Sequence, residues 1–71
     1  MKANQRERIL QYLDDFGSIT PIAALSELGV MRLAPRIMEL KRMGHRIESE
    51  TEFHINRYGE RKHYARYRKA V

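Results

Sequence analysis

The chain has no cysteine among its 71 residues, which excludes a disulfide framework, a thiolate zinc site and a cysteine nucleophile. It has no apolar run near the roughly 20 residues that span a bilayer. The opening MKANQRER offers no apolar core of the kind a secretory leader needs. No internal repeat, low-complexity tract or linker interrupts it. It also lacks a phosphate-cradling GxxxxGK loop, a dinucleotide-binding glycine fingerprint and any serine in a nucleophile motif. Acidic residues are nearly missing from its last part: between Phe53 and Val71 only Glu60 faces Arg57, Arg61, Lys62, Arg66, Arg68 and Lys69. These absences predict one small cytoplasmic domain over residues 1–71, with no enzymatic activity, cofactor, metal or membrane contact.

Fourteen Lys and Arg against nine Asp and Glu give a net charge of +5, a balance that favours a polyanionic partner without proving one. A 42% apolar content suffices for a single core at a length near the lower limit for independent folding. The periodicity then assigns the elements. A first helix is predicted over residues 4–16. Asn4 is its N-cap, with Glu7 three residues on, Ile9, Tyr12, Leu13 and Phe16 line one face, and Gly17 stops it. Ser18 to Thr20 is a short extended link. Thr20-Pro21 is a strong helix start, opening a second helix over 21–28 with Ile22, Leu25 and Leu28 inward and Gly29 at its end.

A third helix is predicted over 31–43, with Leu33, Ile37 and Leu40 inward and Gly44 closing it. Pro35 falls in its first turn, where a missing amide proton costs little. From Arg46 to Ile55 the period becomes two, with Ile47, Ser49, Thr51, Phe53 and Ile55 on the buried side. Asn56 to Lys62 is the hairpin turn. The return strand is predicted over 63–69, with Ala65 and Tyr67 inward, and Arg66 and Arg68 pairing across to Glu48, Glu50 and Glu52. The fold class is thus α+β: three helices, a short strand after the first, and a two-stranded antiparallel ribbon.

That order, and the residues Ser18, Ile19, Thr20, Pro21, Ala24, Leu25, Arg32, Leu33, Arg36, Ile37, Glu39, Leu40, Gly44, Ile47 and Glu48, resemble a winged helix-turn-helix domain. More narrowly, they resemble the small helix-turn-helix proteins of phages and bacterial mobile elements. Their pattern is SITPxxAL, a short turn, RLxxRIxELxxxGxxIE and a charged hairpin. The resemblance covers nearly the whole chain. It implies double-stranded DNA binding by the third helix and the wing, in gene regulation or as a recombination accessory factor.

On the third helix, the 100° advance per residue puts Met31, Pro35, Met38 and Arg42 outermost, with Arg32 flanking and Arg36 nearer the core edge. Arg32 and Arg42 can reach a guanine edge or a phosphate, and Lys41 adds charge. Arg36 either joins them or pairs with Glu39 or Glu27. On the wing, Arg57, Tyr58, Arg61 and Lys62 surround Gly59 and suit a phosphate ridge or a minor groove. Thr20 and the amides behind it offer a phosphate contact or simply a helix cap. His45, His54 and His63 lack metal-site spacing and read as surface histidines.

The apolar strip of Met31, Pro35 and Met38 keeps a second reading open: a phage-encoded protein-binding module that inhibits or redirects a host protein such as a defence nuclease. Self-association, as a weak dimer or on adjacent sites, and binding of structured RNA are further alternatives.

Overall fold

The computed structural model describes residues 4–70; positions 1–3 and 71 of the predicted domain lie outside the described residues. Its elements are α1 (Gln5–Phe16), β1 (Ser18–Ile19), α2 (Pro21–Leu28), α3 (Leu33–Arg42), β2 (Ile47–Ile55) and β3 (Arg61–Lys69). The strands form one antiparallel sheet in the order β1-β3-β2, so the link after α1 joins the wing as a third strand.

Local chemistry sets the helix ends. The Asn4 side chain accepts from the Glu7 amide at 2.8 Å, and Thr20 accepts from Ala23 at 3.2 Å, each satisfying an amide that the first turn leaves orphaned. Between α2 and α3 the chain turns on Gly29, whose φ of 70° is left-handed and costs a glycine little. That turn lets the amides of Gly29 and Val30 reach carbonyls of Leu25 and Ala24 and drops Val30 into the core at 1% exposure.

The core is Ile9, Leu13, Ile19, Ala24, Val30, Leu33, Ile37, Leu40 and Ile47. It draws on every helix, the short strand and the base of the hairpin. The inward face of α3 is as its periodicity predicts. The other two helices are turned differently. On α2, Ile22 and Leu25 are exposed while Ala24 is buried; a small side chain lets this two-turn helix approach its neighbours closely, and the larger ones are left at the rim. On α1, Ile9 and Leu13 form the core line, whereas Phe16 is exposed and packs its ring on Tyr12 with centroids 4.6 Å apart.

Helix α3 begins at Leu33, two residues later than the predicted Met31. Pro35 is the cause: a proline ring clashes with the carbonyl four residues back, which here belongs to Met31. Starting at Leu33 places Pro35 third in the helix, where no intrahelical amide bond is due.

The hairpin differs at its tip and along its inner face. Asn56 closes a tighter turn than expected. Its side-chain oxygen accepts from the amides of Tyr58 and Glu60, its amide nitrogen donates to Glu60, and Arg61 and Lys62 therefore lie in β3, opposite Ile55 and His54. Only Ile47 of the predicted inner face of β2 is buried; Ser49, Thr51, Phe53 and Ile55 are exposed. Nine-residue strands rising about 3.3 Å per residue outrun the helical body, in a molecule measuring 42 × 27 × 21 Å. At the base, Tyr67 packs against the core.

Candidate nucleic-acid interface

With Leu33, Ile37 and Leu40 buried, the outward side of α3 carries Ala34, Met38, Lys41 and Arg42, with Pro35 and Glu39 half-buried. Ala34, Pro35, Met38, Glu39 and Arg42 line a shallow groove along it. Met31 is 82% exposed and, with Arg32, precedes the helix. Arg32 occupies the N-cap position and makes no capping hydrogen bond, since a guanidinium has no acceptor. The first turn of α3 therefore begins without a side-chain cap, next to a cation.

Ion pairing sorts the cations into two sets. Arg36 lies 3.2 Å from Glu39, and Arg6 approaches the same carboxylate at 3.8 Å. The only acid on α3 is thus flanked by two guanidiniums, and of the two sequence alternatives for Arg36 the structure has Glu39; Glu27 instead accepts from the Tyr12 hydroxyl. Lys69 holds Asp14 at 3.0 Å, and Arg8 donates to the Leu28 carbonyl, tying α1 to the end of α2. Among the described residues, no carboxylate lies within 4 Å of Arg32, Lys41, Arg42, Arg46, Arg57 or Arg61. These cations lie in three stretches: around α3, in the link to β2, and on the wing. Sequence reasoning passed over Arg46, reading it only as an outward strand residue; its position just past the helix was the signal.

The wing's predicted residues do not form one patch. Arg57 and Tyr58 are exposed at the tip. Strand alternation puts Arg61 on the face that continues from Ile47, where its guanidinium lies 3.8 Å above the Phe53 ring, beside His63. Lys62 points to the opposite face and sits 3.9 Å from Glu60. That opposite face also carries Glu48, Glu50 and Glu52, as well as Arg66 and Arg68. The pairing across the strands is diagonal: Arg66 stands opposite Glu50 and Arg68 opposite Glu48, yet Arg66 donates to Glu52 at 2.9 Å and Arg68 bonds Glu50. A second Arg66 nitrogen donates to the Ser18 hydroxyl. The acid row is therefore substantially matched by its neighbours.

Thr20 uses its side-chain oxygen as a cap and retains a hydroxyl proton to donate. It borders a cleft of about 280 Å³ with Pro21, Ile22, His54, Tyr64 and Arg66. The cleft joins the start of α2 to the acid-bearing face of the wing. There His54 and Tyr64 pack with ring centroids 5.8 Å apart, a contact that the spacing of the histidines did not reveal.

The hydrogen bond from Arg66 holds the Glu52 carboxyl below the usual glutamate range, with a Tyr64 hydrogen bond adding to it. A carboxylate whose folded value is lowered contributes stability above its unfolded value and loses it as the pH falls through the folded one. In an NMR-detected acid titration, Glu52 should therefore protonate below the usual glutamate range. In R66Q its midpoint should move up toward that range; an unchanged midpoint would remove the ion pair as the cause.

Neither the curated proteins nor the solved structures include a match to this chain. A family model described as a winged helix-turn-helix domain matches residues 4–69. That span runs from the cap of α1 through the last residue of β3, and takes in the Gly29 turn, the outward face of α3 and the hairpin. On that match and this architecture, the chain belongs to the winged helix-turn-helix family.

Proposed function

We propose that this domain is a non-enzymatic double-stranded DNA-binding protein that lays α3 in the major groove and its wing on the backbone or minor groove. The observation that carries the reading is that these cations have no acidic partners: Arg32, Lys41, Arg42 and Arg46 at α3 and just beyond, and Arg57 and Arg61 on the wing. A cation already held by a carboxylate must give up that contact to meet a phosphate, whereas these have no carboxylate to leave, and Arg61 has only its stacking on Phe53. Tyr58 and the Thr20 hydroxyl are additional phosphate donors, and Lys62 and Arg36 contribute less because acids already neighbour them. The role we assign is that of a small transcriptional regulator or recombination accessory factor of a phage or mobile element, acting in the cytoplasm; this rests on the sequence resemblance. A single module of this kind buries only about 600–1,000 Å² on DNA, so specific occupancy calls for two copies or adjacent sites.

The test is duplex binding measured at 50 and 200 mM salt, using fragments from upstream of the protein's own gene. Five neutralised phosphates give a log–log slope of about −4.5, so affinity should fall by several hundredfold over that range. Binding that is absent, or indifferent to salt, would dismiss this reading. The exposed methionines Met31, Met38 and Met43 favour the alternative, a module that docks on a host protein, and that outcome would then take its place.

A further inference from the structure

Resting on the DNA-binding reading, we infer that α3 selects its sites through thymine methyl groups, with Met31, Ala34, Pro35 and Met38 as the contacting surface. Between residues 31 and 43 there is no Asn, Gln, Ser or Thr, the side chains that read adenine and other base edges by hydrogen bonding. Of the polar residues there, Arg36 and Glu39 hold each other. That leaves Arg32 before the helix, and Lys41 and Arg42 at its end, as hydrogen-bonding readers. The N-terminal part of a recognition helix makes the base contacts in this geometry; here its outward residues are exposed Ala34 and half-buried Pro35, with Met31 just before the helix 82% and Met38 at its middle 53% exposed. The major groove displays one apolar group, the C5-methyl of thymine. Pressed against other base edges, this surface would leave donors and acceptors unpaired.

Charge decides the occupant. Arg32, Lys41 and Arg42 border the strip without acidic partners, which suits a polyanion. A second copy docked through the same face about a two-fold axis would instead set these cations against their own equivalents.

Duplexes enriched from a randomised pool by the intact protein are remade with deoxyuridine for every thymidine, which deletes the methyl and leaves the pairing edge unchanged. Each contacted methyl should be worth about fourfold in affinity, so two lost methyls weaken binding by more than about tenfold. Met31→Ser and Met38→Ser should each shrink the thymidine-to-deoxyuridine ratio, whereas Arg42→Ala should weaken both duplexes alike. Both methionines are exposed, so these variants keep the fold. Equal affinity for the two duplexes overturns the inference and leaves DNA binding standing. So does a ratio that the methionine variants leave unchanged, which would assign the difference to duplex shape. A pool that yields no bound duplex removes the DNA-binding reading and this inference together. Self-association abolished by Met38→Ser would give the strip to a second copy and also overturn it.

Discussion

Combined replacement of Arg32 and Arg42 by alanine should lower duplex affinity by on the order of a hundredfold or more, since each well-placed guanidinium discriminates by about 1–3 kcal/mol at a base. The measurement is a titration at fixed salt against the same duplex for the parent and the variant. Neither arginine has an acidic partner to leave unpaired, so the fold should be undisturbed and the loss attributable to the interface. The salt slope should also become shallower by about two if both contacts are to phosphate, and should hold nearly constant if both are to bases. Changing Met31 and Met38 together to serine provides the contrast. If that pair abolishes a protein complex while the arginine pair leaves it intact, the host-protein reading gains and the proposed docking falls. Duplex binding indifferent to the arginine pair and to Arg57 and Arg61 would exclude α3 and the wing as the DNA surface.

The second large effect concerns the body that aims those side chains. Leu40 is 0% exposed and sits where α3 meets the rest of the core. Leu40→Ala should cost about 2–5 kcal/mol through lost burial and the cavity left behind. A chain of this length has only about 4–10 kcal/mol in total, and without cysteines no covalent crosslink supports it. The melting temperature should drop by at least about 10 °C, with a matching shift in the denaturation midpoint. Met38→Ala, half a turn away and exposed, should stay within about 0.5 kcal/mol of the parent. If both variants melt alike, α3 does not pack through the face assigned to it.

Where one periodic rule governed a segment, the sequence was sufficient. Leu33, Ile37 and Leu40 recur at helical spacing on a helix long enough to commit one side to the core, and all three are buried. The glycine stops and the Asn4 and Thr20 caps are local chemistry and were equally readable. Tertiary geometry overrode the pattern elsewhere. Ile22 and Leu25 carry the apolar signal of α2, but a helix of eight residues can be rotated by its neighbours, and Ala24 makes the close approach. Phe53 and Ile55 alternate as buried strand residues do, yet nothing reaches far enough to cover them, because alternation reports a face and not the extent of the layer beneath it. Pro35 alone does not announce where α3 starts, since what forbids an earlier start is the clash its ring would make with a helical Met31 carbonyl. For the candidate interface, alternation alone made the pairing of Arg66 and Arg68 with the glutamate row legible. Its diagonal register, and the meeting of Arg6 and Arg36 at Glu39, come only with the fold.

The hairpin is anchored at one end. Ile47 and Tyr67 fasten its base to the core, while Arg57, Tyr58 and Gly59 at its far end are exposed. A ribbon so fastened behaves as a cantilever, with the least local stability at its free end. Immobilising that end on a polyanion subtracts ordering entropy from the affinity gained there. Tightening the crossing of the ribbon near its tip would therefore strengthen attachment without adding a single new contact.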